Sequence, residues 1–171
     1  ITNGSYNVEN VLETISPSMD IQIASNFERL IFDLNDNSDQ KTIEVMKKIK
    51  EKGKYAIQKE SLDKINVDFL SSRMDENEIL NTIKTVYEKF DKVLDPHSAI
   101  GYGAFDKVNL NGNNVVLATA HPCKFPDAIK KAINIKAELP DELSFILDEK
   151  ENYDIIDNNL NKIKQHIKER I

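Results

Sequence analysis

A chain of 171 residues, 40% hydrophobic and 30% charged, is long enough for one domain with a real core and too short for two generous ones. Twenty-nine acidic against 23 basic residues leave a net charge of −6, a surface that repels phosphate backbones, so nucleic acid is not an expected partner. Cys123 is the only cysteine, which excludes an internal disulfide and points to a reducing, cytoplasmic setting, and no apolar run approaches the roughly 20 residues of a membrane span.

Residues 1–18 form a polar, turn-rich N-terminal segment broken at Asn3-Gly4 and Ser16-Pro17. That the chain opens on Ile1 rather than Met suggests a cut from a longer protein; a trimmed small protein is the other explanation. Ile23, Phe27, Leu30, Ile31 and Leu34 recur at helical spacing and predict a helix over 21–34, with Asp20 as its cap. Ser38 caps a second helix that stops at Gly53. Tyr55-Ala56-Ile57 is a candidate strand, 62–65 a helical turn and 69–72 an extended piece.

Asp75 opens a clearer helix, whose stripe runs through Ile79, Leu80, Ile83, Val86, Tyr87 and Phe90 with acids in the first turn. A turn at 93–96 leads to a short helix over 97–108. After the turn signal Asn111-Gly112-Asn113, the apolar run 115–119 is typical of a buried parallel strand. Helices are expected after Pro126, after Pro140 and over 153–171. One confident strand among helices is α/β patterning, a single domain over 1–171 with most of its sheet lying elsewhere.

Three local sequences could carry chemistry. Thr119-Ala120-His121-Pro122-Cys123-Lys124-Phe125 puts a hydroxyl, an imidazole, a thiol and an amine at a strand's C-terminal end, where open α/β sheets bind ligands. Strand-end polarity plus a helix start explains the same residues. Asp95-Pro96-His97-Ser98-Ala99-Ile100-Gly101 reads first as helix packing, and it lacks the spacing of a dinucleotide fingerprint. Ser16-Pro17-Ser18-Met19-Asp20-Ile21, running into Ser25-Asn26-Phe27-Glu28-Arg29-Leu30, could meet an anion or could be a capped helix with a surface arginine. A metal site is not expected, because the His121-x-Cys123 spacing matches no closed zinc set. A hydrolase using His121 and Cys123 would need an ordered base, and none is in view.

Taken together and in order, the stretches Ser16–Leu30, Asp95–Gly101 and Thr119–Phe125 resemble threonine synthase of the fungal and bacterial type. The resemblance covers essentially the whole chain and is loosest over 35–73 and after Asn134. Cys123 stands where that family usually has alanine, one small residue for another.

The resemblance implies an α/β fold: the C-terminal portion of a fold type II pyridoxal-phosphate enzyme, mainly helices around a short parallel strand region. It implies a carbon-oxygen lyase acting on phosphates, which converts O-phosphohomoserine and water to threonine and phosphate in threonine biosynthesis. Within the family a lysine carries the cofactor and glycine-rich loops hold its phosphate, and nothing here matches either. Lys124 is therefore not that lysine. The isolated chain is expected to be inactive and not to hold pyridoxal phosphate, and an open sheet edge would favour self-association. What carries over is narrower: Thr119 as the hydroxyl facing the cofactor's ring nitrogen, His121 and Lys124 near that pocket, and Asn26 and Arg29 as substrate-side candidates. A stand-alone small-molecule binding or interaction module derived from this fold is the alternative.

Overall fold

The computed structural model describes residues 1–108 and 110–171, which divide into two units, 1–138 and 139–171. In the first unit, strand β1 (Ser5–Asn7) pairs antiparallel with β2 (Lys54–Ala56), Tyr6 opposite Tyr55. The helices are α1 (Ser25–Leu34), α2 (Asp39–Lys52), α3 (Lys59–Asp68), α4 (Glu76–Phe90), α5 (Pro96–Lys107) and α6 (Pro126–Ile133). Single 3₁₀ turns form at Pro17–Met19 and Pro122–Lys124. The second unit holds a 3₁₀ stretch, Asp141–Leu147, and helix α7 (Leu160–Lys168).

Two hydrophobic clusters organise the first unit. Ile31 of α1 meets Val45, Met46 and Ile49 of α2, with Tyr6, Phe27 and Tyr55 against them. The second cluster is Ile79 and Ile83 of α4, Ala99 of α5 and Ile129 of α6. In α4 the buried Ile79, Ile83 and Val86 fall at i, i+4 and i+7, one stripe of a 3.6-residue period.

Helix ends follow local chemistry. Asp75 and Glu78 form a capping box at the start of α4: Asp75 accepts the Glu78 amide at 2.9 Å, and Glu78 accepts the Asp75 amide at 2.9 Å. Lys107 donates to the Glu78 carboxylate at 2.6 Å; this bond, with that from the Asp75 amide, holds the Glu78 carboxyl below its ordinary value. Ser38 caps α2, and Gly53 ends it at φ 64°, a left-handed conformation that costs glycine nothing.

Three expectations are corrected. Helix α1 starts at Ser25 rather than 21, because the Asp20 carboxylate is engaged elsewhere: it accepts the Thr14 amide at 2.7 Å and the Thr14 hydroxyl at 2.8 Å. The Tyr6 hydroxyl, donating to the Gln22 carbonyl and accepting the Ala24 amide, holds the intervening residues out of the helix. Helix α7 starts at Leu160 rather than 153, because Asn159 accepts the amides of Asn161 and Lys162 and so places the first turn after itself.

The third correction concerns the apolar run 115–118, which forms no strand. Val115 is 86% exposed and Leu117 75%. A strand is defined by its ladder, and among the described residues none lies beside this run. The one sheet among the described residues is the antiparallel pair β1–β2, remote in sequence from it.

Candidate functional site

The three chemically unusual sequences are far apart in the chain, and hydrogen bonds join them in space. Their meeting point is Asp95, the N-cap of α5, which is 1% exposed. Asp and Pro in succession dictate the local shape: Pro96 fits the first helical position, where its missing N–H is not wanted, and the aspartate accepts the free amides of the first turn. One carboxylate oxygen accepts the His97 amide at 2.9 Å and faces His97 Nδ1 at 2.9 Å. The other accepts the Ser98 amide at 3.3 Å and the Ser98 hydroxyl.

Both partners reach outward from Asp95. His97 Nε2 accepts the Ser18 amide at 3.3 Å, tying in the turn Pro17–Met19. Because a backbone N–H can only donate, Nε2 is the bare nitrogen, and the proton of the neutral ring sits on Nδ1, towards Asp95. The Ser98 hydroxyl oxygen accepts the Thr119 amide at 3.0 Å. Phe125 packs on the His97 ring, centroids 4.7 Å apart. Burial pushes the Asp95 carboxyl up, but hydrogen bonds from Ser98 and His97 outweigh it and leave the group below its ordinary value. The carboxylate is charged, buried and fully bonded.

Residues 117–120 alternate in direction as an extended chain does: Leu117 and Thr119 line one cavity, Ala118 and Ala120 another. The Thr119 cavity measures about 410 Å³, and Met19, Ser72, His97 and Gly101 also line it. The Thr119 hydroxyl makes no hydrogen bond among the described residues. His121 lines the other cavity, of about 480 Å³, with Asp95, Ser98 and Pro122; its Nδ1 accepts the Cys123 amide at 3.3 Å and caps the turn Pro122–Lys124. Thr119 and His121 are thus neighbours in sequence on different cavities, and Lys124 is exposed and lines neither. Asn26 and Arg29 are exposed on α1; Arg29 lines a separate cavity against α2, with Asp39 and Thr42.

Residues 98–167 match the family model described as threonine synthase, C-terminal. Threonine synthase of Pseudomonas aeruginosa is 32% identical over 170 residues, covering 98% of this chain and 36% of that protein. The chain belongs to the threonine synthase family. The Saccharomyces cerevisiae member is 34% identical over 160 residues, covering 79% of this chain and 31% of the yeast protein. The structure of pyridoxal-phosphate-bound threonine synthase from Brucella melitensis superposes with a TM-score of 0.84 at 37% identity, covering 98% of this chain and 36% of that one. Yeast threonine synthase gives 0.78 at 30% identity, with 98% and 38% covered. The chain thus spans about a third of the length of these threonine synthases, and its fold is that of the corresponding part of fold type II.

The chemistry of the donor set allows a test of fit to pyridoxal phosphate. Among the described residues no carboxylate and no lysine line the Thr119 cavity; its polar groups there are hydroxyls, an amide and the His97 ring. A hydroxyl with no partner in such surroundings suits a ring nitrogen that is not held protonated. The phosphate and aldehyde ends of the cofactor find no counterpart there. The ring-nitrogen end fits. The sequence marked the stretch 95–101 but gave Asp95 and Ser98 no role of their own; the signal was present, as an Asp-Pro helix start with a hydroxyl three residues on.

Proposed function

We propose that this chain is the C-terminal part of a threonine synthase acting on O-phosphohomoserine and water to give threonine and phosphate. Matches running over 98% of the chain support treating residues 1–171 as one piece of that enzyme, and its single cysteine suits a reducing, cytoplasmic setting. The observation that carries the reading is the joining of all three family-like sequences through Asp95, His97 and Ser98, which presents the unpartnered Thr119 hydroxyl at a cavity wall.

When bound, pyridoxal phosphate would supply the electron sink for the elimination of phosphate and the addition of water. This chain's part is positional. Thr119 would hold the ring nitrogen by a neutral hydrogen bond, which leaves that nitrogen free of a fixed proton. His121, on the cavity across residues 118–122 from Thr119, and the exposed Lys124 are candidates for the substrate side, and Asn26 and Arg29 would approach only from α1. With no lysine at the Thr119 cavity, the isolated chain would be inactive.

The test is absorbance of the isolated chain after incubation with pyridoxal phosphate and removal of the excess. No visible band is expected from a chain that folds normally by circular dichroism. In the enzyme carrying this segment, Thr119→Ala is expected to shift the bound cofactor's spectrum and lower turnover. A stoichiometric band on the isolated chain, lost in Lys124→Ala, would mean that the chain holds a complete cofactor site and would sink the reading.

A further inference from the structure

The Thr119 side chain is exposed and its own contacts do not hold it; what is held is its backbone. The sole side-chain partner of that backbone among the described residues is the Ser98 hydroxyl, itself buried at 3% exposure and clamped to a 1% exposed carboxylate. The polarity of this chain of bonds is forced. Asp95 is ionised and has no proton to give, so Ser98 must donate to it. The Thr119 amide can only donate, so the Ser98 oxygen must accept from it. A hydroxyl that donates to a charge becomes a better acceptor, because each bond polarises the next. The result is a two-bond link from the capped end of α5 to Thr119, which lines the cavity and whose hydroxyl has no partner among the described residues.

We propose that Ser98, oriented by the Asp95 carboxylate, is the positioning residue that aims the Thr119 hydroxyl at the cofactor. This rests on the reading of Thr119 given above. Ser98 does not line the Thr119 cavity; it acts there through the Thr119 backbone. Its removal leaves an amide that water can reach, because Thr119 is exposed, and an Asp95 oxygen that still accepts the Ser98 amide. The consequence therefore falls on aim more than on folding.

The experiment is a double-mutant cycle in the complete enzyme that carries this segment, with Ser98→Ala, Thr119→Ala and the double variant. It is read by the dissociation constant for pyridoxal phosphate and by the absorption maximum of the bound cofactor. Ser98→Ala is expected to weaken cofactor binding about five- to tenfold, the worth of one hydrogen bond, and to shift the maximum in the same direction as Thr119→Ala. The double variant should be no worse than Thr119→Ala alone, since the two residues act as one unit. Ser98→Thr, which keeps the hydroxyl, should restore both readouts.

Fully additive effects, or a Ser98→Ala enzyme with a lower melting temperature and unchanged affinity and spectrum, would overturn the proposal. If Thr119→Ala shifts the spectrum while Ser98→Ala does not, the positioning role alone fails. If Thr119→Ala itself changes nothing, the cofactor reading fails and takes this inference with it. Should Ser98→Ala not fold, hydrogen exchange of the Thr119 amide in the unsubstituted enzyme decides: protection supports the link, and exchange at the rate of a free exposed amide rules it out.

Discussion

Asp95 gathers five polar groups around one carboxylate: two amides, an imidazole N–H, a hydroxyl and, one bond further, the amide of Thr119. Burying a charge is unfavourable unless its hydrogen-bonding capacity is met, and here it is met in full. Asp95→Ala would strand several buried donors at once, and a loss of about 3 kcal/mol is expected in chemical denaturation. The sign of its pH dependence follows from the lowered carboxyl. A group bound more weakly to its proton in the folded state contributes stability above the unfolded carboxyl range, about pH 4, and that contribution disappears as pH falls through the folded value. The stability gap between the parent chain and Asp95→Ala should therefore narrow as pH drops from about 6 towards about 3. A gap independent of pH would show that the carboxylate charge is not what holds the network.

Among the elements, α4 is the one on which α5 and α6 are assembled. Its sequence states its start twice, through the Asp75–Glu78 box and through the stripe that begins at Ile79. The two signals differ in weight. Asp75→Ala removes a cap at an exposed end and is expected to cost about 1 kcal/mol, whereas Ile83→Ala opens a hole at a fully buried position and is expected to cost about 3 kcal/mol. Urea denaturation followed by circular dichroism should rank them in that order with similar slopes. The reverse ranking would mean that the helix is held by its end rather than by its face. Helix α1 shows the opposite case, in which tertiary contacts of Tyr6 and Thr14 decide where a legible helix begins.

For the molecule as a whole, the run 115–117 is a conspicuous apolar surface: two of its three apolar side chains are largely in water. Unpaired apolar backbone of this kind is a template for pairing with another chain. The isolated chain is expected to self-associate in sedimentation velocity experiments as concentration rises, and replacing Val115 and Leu117 with lysine should return it to monomer. A monomer at every concentration before substitution would mean that the run is harmless as it stands.

Local order was legible from the sequence wherever a single turn of backbone decides it. The caps at Ser38 and Asp75, the left-handed stop at Gly53 and the stripe of α4 depend on residues within four positions of one another, and their chemistry is complete in the sequence. The order of the three family-like stretches carried the family as well, because long motifs at matching spacing do not require coordinates to be compared. Only the tertiary structure decided that those stretches touch, with Ser18, Asp95 to Ser98 and Thr119 joined across 79 and 21 positions, and that Thr119 and His121 face different cavities. It also decided against a strand at 115–118. The physical reason is common to all three: a cap is satisfied by its own turn, whereas a ladder bond, a buried carboxylate or a cavity wall needs partners that chain position alone does not supply.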